Sequence, residues 1–200
     1  MSSGGTNPAA HPQRKTSIMS RIHTPASLET SPADSQPQLA AVKQQLGVVP
    51  NLFRVIGNSP AALAGYLGLN GALAKGQLDA RTRERIALAV AEVNGCDYCL
   101  SAHTYLGKHA AKLDDAEMAA NREGGSHDAK AAAAVRFAVQ VVQARGHVED
   151  ADLQAVYAAG YSDAQVVEIV LHVALNTLTN YVNEVAKTAI DFPVVTHHAR

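Results

Sequence analysis

Glu92-Val93-Asn94-Gly95-Cys96-Asp97-Tyr98-Cys99-Leu100-Ser101-Ala102-His103 holds both cysteines of the chain, three apart, with a histidine four residues beyond the second. Gly95 ends one amphipathic helical pattern and lets another begin at Cys96. On that second helix, at ~100° per residue, Cys96, Cys99 and His103 fall within about 60° of one another. Leu106, Gly107 and Ala110 continue their face, while Asp97, Ser101, Thr104 and Lys108 form a separate polar stripe. Two thiols and an imidazole thus turn inward, with Cys96 at the exposed helix start, in the arrangement of an active site.

The helix leading into this motif starts at Asp79 or Ala80. Arg81, Arg85 and Glu92 form a charged stripe on it, and Ile86, Ala89, Val90 and Val93 a core face. Glu84 belongs to neither: it lies roughly 80° from the charged stripe and shares its side with Leu88, Ala91 and Gly95. A carboxylate on a buried flank, one helix before two thiols, is a candidate general base. The alternative is a snorkelling or arginine-paired glutamate.

The same helical period extends outward in both directions, and few segments show the β-branched alternation of a strand. The fold class is all-α. Leu39–Leu46 is stopped by Gly47, and Pro50-Asn51 starts an apolar turn or two. Ser59-Pro60 opens a glycine-containing helix to about Lys75, and the motif helix reaches about Lys112. Asp114-Asp115-Ala116-Glu117 opens a short helix, with acidic residues where the dipole favours them. Ser126 or Asp128 starts an alanine- and valine-rich helix, Glu149–Ala159 forms another, and Ser162 or Asp163 caps the longest, reaching about Ile190 before Pro193. A faint internal helical repeat relates Glu84–Val90 to Val167–Val173 at an offset of 83, with Thr179 and Val182 where the first copy has Cys96 and Cys99.

Residues 1–38 are rich in Ser, Pro, Thr, Gln and Gly, and read as a disordered or draped tail that cannot repay its ordering entropy alone. Met19 is a second candidate start, and His11 and His23 sit in the same stretch as solvent-facing residues. The helical domain spans 39–193, and 194–200 form a C-terminal tail in which His197 and His198 are exposed. His172, four residues after Glu168, reads as half of a satisfied core pair.

The 200-residue chain carries 17 basic and 18 acidic residues, a formal charge of −1, which offers no electrostatic reason to bind nucleic acid or an anionic membrane. No apolar run approaches the ~20 residues of a membrane span, and no export signal is evident. A C-x-x-C pair in such a chain points to a reducing compartment, the cytoplasm, and to redox or metal chemistry. Zinc would need a fourth ligand, since Cys96, Cys99 and His103 supply three and His109 is rotated away; no cofactor is expected.

The thiolate is the nucleophile in peroxide reduction and disulfide exchange. Cys96 at a helix N-terminus feels the dipole. Cys99 stands one turn before His103, within reach of proton transfer. Glu84 can orient His103 and stabilise its charged form. Two thiols three apart on a helix can close a disulfide with modest adjustment.

Glu84, eleven residues, then Cys96-x-x-Cys99-x-x-x-His103 resembles the active-site signature of the AhpD-like alkylhydroperoxidases, within the carboxymuconolactone decarboxylase family. Arg83–Leu88, Asn94-Gly95-Cys96 and Gly47–Phe53 are similar to its peroxidase-related branch. The resemblance covers roughly Leu39 to Pro193. It implies an all-helical homo-oligomer, a trimer or hexamer, that reduces a peroxide at the expense of a thiol or dithiol. It also implies that Cys99 attacks and Cys96 resolves, with Glu84 and His103 relaying the proton. The best-known members carry a histidine between the cysteines. This chain has Tyr98, a phenol that relays protons less easily at neutral pH.

The residues' own arguments on the attacking thiol pull two ways. Helix-terminus electrostatics and exposure favour Cys96; delivery of a proton to the departing oxygen, which a dipole cannot supply, favours Cys99. A disulfide reductase and a non-enzymatic redox-sensing oligomer are the alternative functions.

Overall fold

The computed structural model describes residues 20–198, so His11 and Met19 lie outside the described residues. These residues form a short 3-10 turn at Ala33–Ser35 and nine α-helices with no strand among them: α1 Gln36–Leu46, α2 Asn51–Ile56, α3 Pro60–Leu73, α4 Ala80–Val93, α5 Asp97–His109, α6 Asp115–Arg122, α7 Ala129–Gln143, α8 Asp150–Ala158 and α9 Asp163–Ala186. No described helix is long and apolar enough to cross a membrane.

Local chemistry accounts for the starts. Ser59, Asp79, Asp114, Asp128 and Ser162 each accept a first-turn backbone N–H through the side chain, satisfying a donor that the helix itself leaves orphaned. Two ends fall short of expectation. α5 stops at His109 because the Ala111 and Leu113 N–H groups turn back to Leu106 and Gly107. α9 stops at Ala186, where Lys187 enters the left-handed region at φ +48° and the Thr188 N–H bonds back to the Asn183 carbonyl.

α4 is the axis of the molecule, packed by α5, α6, α7 and α9. Its Leu88 and Ala91 join a core cluster with Leu39, Leu52, Ile56, Leu63, Cys99 and Leu100. Its Ile86 and Val90 join a second with Ala134, Phe137, Ala138, Val156, Ile169 and Val173. The buried run Ala131–Ala134 is what lets α7 approach α4 closely. At about 1.5–3 kcal/mol for each fully buried Leu or Ile side chain, these two clusters dominate the favourable energy.

Burial all round α4 changes the meaning of its charged stripe. Arg81 is exposed, but Arg85 and Glu92 are buried and each meets a partner on α6: Arg85 Nε lies 2.6 Å from Glu117 Oε1, and Arg122 Nε 2.7 Å from Glu92 Oε2. Glu117 also accepts from Ser126, Asn121 and the His127 N–H. Burial opposes its charge, but these donors with Arg85 outweigh it and hold the carboxyl down at about 2.

Both ends of the described chain lie against the helices. Arg21 N–H donates to Ala186 O, Asn58 Nδ2 to His23 O, Arg54 Nη1 to Ala26 O, and the buried Ser35 hydroxyl to Gly57 O. At the other end Val195 N–H donates to Ser101 Oγ at 2.9 Å, which buries Ser101 and removes it from the polar stripe of α5. His197 Nδ1 lies 2.7 Å from Asp97, and the His198 N–H donates to Glu92 at 2.7 Å, although both imidazoles remain exposed.

Candidate active site

The α4–α5 junction builds the site. Gly95 sits at φ +65°, where a side chain would strain the backbone, and turns the chain between the two helices. Cys96 is extended (φ −96°, ψ 98°) and is the N-cap of α5 rather than its first helical residue, so Cys99 stands in the first turn. The positive end of the helix dipole therefore reaches both sulfurs, not Cys96 alone. Nor is Cys96 the more exposed: it is 0% accessible and Cys99 2%. Both are free thiols.

Cys99 lines a cavity of about 110 Å³ with Leu52, Tyr66, Glu84, Tyr98, His103 and Thr179; Cys96 does not. Glu84 is brought to this cavity, where its Oε2 accepts from His103 Nδ1 at 2.8 Å. That contact places the imidazole proton on Nδ1 and leaves Nε2 free for chemistry. Opposite, α9 supplies a polar cradle. Asn183 Nδ2 donates to Cys99 Sγ at 3.3 Å, and Thr179 Oγ1 is 4.0 Å from it. Asn180, whose oxygen accepts from Asn94 at 2.8 Å, adds to the pull on the thiol.

The electrostatics separate the two cysteines. Cys99 is pushed below the usual thiol range, first by the neighbouring Cys96 thiol, then against burial by His103, Asn180 and Asn183. Cys96 is pushed up, first by the neighbouring Cys99 and then by burial. Burial alone would lower His103, but the Glu84 carboxylate outweighs it and raises the imidazole, with Cys99 adding to the effect. Cys99 is thus pushed toward its thiolate and His103 toward its charged form, with the Cys96 thiol beside them pushed the other way.

Tyr98 is no proton carrier. Burial, foremost, raises its phenol; the hydroxyl accepts the Leu52 N–H at 3.0 Å and donates to Asp191 at 2.8 Å. Asp191 in turn accepts the Asn51 N–H at 2.8 Å, so Tyr98 clamps α5 to the start of α2 and to the C-terminal segment.

The Glu168–His172 core pair is absent. The Glu168 carboxylate instead accepts the backbone N–H groups of Gln77 (2.8 and 2.9 Å) and Leu78 (3.0 Å). His172 lines the same cavity as Cys99, with its Nε2 buried and unpartnered. Asn180, Asn183 and His172 were legible as polar residues repeating at helical spacing (172, 176, 179, 180, 183) on a mostly apolar helix, a pattern that marks an inward polar stripe.

An all-helical body with a dithiol at a broken helix junction and a carboxylate–imidazole pair behind it defines a class of thiol-bearing helical proteins. Residues 60–144, somewhat less than half of the chain, match the model of the carboxymuconolactone decarboxylase family. The fold is similar to that of an uncharacterized peroxidase-related protein with an alkylhydroperoxidase AhpD core from Ralstonia eutropha JMP134. The TM-score is 0.75 and the identity 26%, over 92% of this chain and 94% of that one. A peroxidase-related protein from Silicibacter sp. TM1040 shares the fold, with a TM-score of 0.75 at 22% identity over 88% and 94% of the two chains. An uncharacterized protein from Haemophilus influenzae is 44% identical over 63 residues, which are 30% of this chain and 56% of that protein, little more than half its length.

Proposed function

We propose that the protein is a thiol-dependent peroxidase that cycles through a Cys96–Cys99 disulfide. The observation that carries this reading is the Glu84–His103 contact behind Cys99, the cysteine that faces the cavity. The Cys99 thiolate attacks the terminal oxygen of a hydroperoxide; an S–O bond forms, the O–O bond breaks, and the leaving alkoxide takes its proton from the His103 imidazolium. The Cys96 thiol then displaces water from the Cys99 sulfenic acid to give the disulfide. An external thiol or dithiol reduces that disulfide in two exchange steps and is itself oxidised.

Cys96 resolves because it caps the helix that carries Cys99, lies outside the cavity, and has its thiol pushed up while that of Cys99 is pushed down. The working form is a homo-oligomer, a trimer or hexamer. Its support is an exposed apolar seam along α9, where Val167, Leu171, Ala174, Leu178, Tyr181 and Val185 repeat at alternating spacings of four and three.

Single-turnover assays test the cycle. The Cys96→Ser protein should consume one equivalent of hydroperoxide and accumulate a trappable sulfenate on Cys99, while Cys99→Ser should be inert. Sulfenate on Cys96 in the Cys99→Ser protein would reverse the two roles.

A further inference from the structure

Two buried titratable groups at the cavity stand outside the proposed cycle, Tyr98, whose hydroxyl is fully engaged, and His172. His172 is 5% exposed, lies on the cavity wall, and its Nε2 meets no hydrogen-bond partner among the described residues. Its apparent partner is engaged elsewhere by design of the backbone. Glu168 closes onto the N–H groups of Gln77 and Leu78, and a Cβ at Gly76 would fall 2.6 Å from its Oε2, so only glycine admits that contact. An orphaned buried nitrogen is costly, and such groups persist mainly where something else is meant to satisfy them.

The position of His172 says which part of a ligand it meets. It precedes Thr179 by seven residues on α9, about 10.5 Å along the axis. Both side chains lean toward the helix N-terminus, which preserves the offset. Cys99 Sγ is 4.0 Å from Thr179 Oγ1, so the imidazole stands about two helical turns along α9 from the residue that meets the sulfur. It is too remote to touch the peroxide oxygens. A ligand spanning the two carries a second polar atom several bonds from its reacting oxygen.

We propose that His172 is a specificity-determining residue, and that the substrate class is a short organic hydroperoxide carrying a hydroxyl or carbonyl oxygen at the end opposite its peroxide group. This assignment rests on the peroxidase reading of the same site. Burial, foremost, and the nearby Arg83 hold the imidazole down at about 4, so it is neutral at physiological pH. A neutral imidazole donates to a carbonyl through one ring nitrogen or accepts from a hydroxyl, and suits an uncharged oxygen in either case. Arg83, also on the cavity wall, already gives one N–H to Leu78 O at 2.6 Å. Glu168 and Glu84 also act on His172, opposing Arg83, so an anionic tail meets no unopposed cation there.

The test pairs two reactions on the full chain. In steady-state turnover the wild type should prefer ω-hydroperoxybutanol over n-butyl hydroperoxide by about tenfold in kcat/KM, carried by KM, the effect of one hydrogen bond to an otherwise unpaired buried group. His172→Phe should erase the preference while still reducing n-butyl hydroperoxide, and His172→Gln, which places an amide near the lost Nε2, should restore part of it. The second reaction is alkylation of Cys99 by ω-bromobutanol against n-butyl bromide, which needs the thiol and the cavity but no turnover. A preference in alkylation that His172→Phe removes upholds the assignment even if neither hydroperoxide is consumed, an outcome that would reject the peroxidase reading instead. Equal alkylation rates for the two bromides, or a preference unchanged in both His172 variants, overturns it.

Discussion

Glu84→Gln isolates the charge that the site places behind its histidine. The substitution keeps the shape and an acceptor for His103 Nδ1–H but removes the carboxylate now 2.8 Å from it. Both side chains are only 21% exposed, so solvent screens the contact weakly. A hydrogen bond to a charged group contributes about 1.5–3 kcal/mol, and 1.36 kcal/mol is one decade, so the imidazolium–thiolate state loses roughly 10- to 150-fold against the neutral pair. The sign follows from the directions at the site. His103 is raised by Glu84 and Cys99 is lowered in part by His103, so without the carboxylate the imidazole falls and the thiol rises. The wild-type thiolate should persist at neutral pH and be lost only as the medium turns acid; in the variant that loss should begin at higher pH. The assay is alkylation of Cys99 followed against pH, with modification mapped by mass spectrometry. Near neutrality the rate should drop about tenfold, and His103→Gln should drop it further. Unchanged pH profiles in both variants, with the fold retained, would show Glu84 to be a structural partner only.

Three further outcomes follow from contacts outside the relay. Tyr98→Phe leaves the buried Leu52 N–H unpaired and Asp191 short of a donor, so it should lower Tm by about 5 °C, from ~1–3 kcal/mol, in a thermal scan, while Cys99 alkylation changes little. Glu117, held at about 2 against an ordinary 4.5, contributes about 3 kcal/mol that is present above pH 4.5 and lost as pH falls toward 2; Glu117→Gln should flatten urea-measured stability across that window and strand Arg85. Leu178→Glu, in the middle of the exposed α9 seam, should shift light scattering from an oligomer to a monomer, and a wild type that scatters as a monomer at micromolar concentration would remove the oligomer proposal.

What the sequence discloses about this molecule is what is decided locally. Asp79 and Ser162 announce their helices because an N-cap needs only a side chain and the three residues after it. Cys99, His103 and Glu84 declare themselves through spacing on two adjoining helices. What stays hidden depends on partners far along the chain. Arg85 and Glu92 look like a solvated stripe until α6 supplies Glu117 and Arg122, some thirty residues on. Glu168 looks like the natural mate of His172 until the backbone at Gln77 and Leu78 claims it from ninety residues away. Cys96 looks exposed because it sits at a helix start, and is not, because the two helices that meet there are both interior.

The offset of 83 gains meaning once both copies are seen folded. Asp79 and Ser162, the N-caps of α4 and α9, differ by that same offset, so the two helices begin in register. They then part at a single point. Where α4 meets Asn94-Gly95-Cys96, the corresponding Thr177-Leu178-Thr179 runs on as unbroken helix. Glycine at φ +65° is what allows the first copy to break, and the break creates a new helix start with a cysteine at its cap and another in its first turn. The unbroken copy keeps one face pointed inward for its whole length, and that face carries Thr179, Asn180 and Asn183 to the sulfur that the broken copy presents. Its opposite face, equally continuous, is the exposed seam. One glycine thus divides the labour: the interrupted helix pair bears Cys99, and the intact helix both cradles its sulfur and carries the exposed apolar seam.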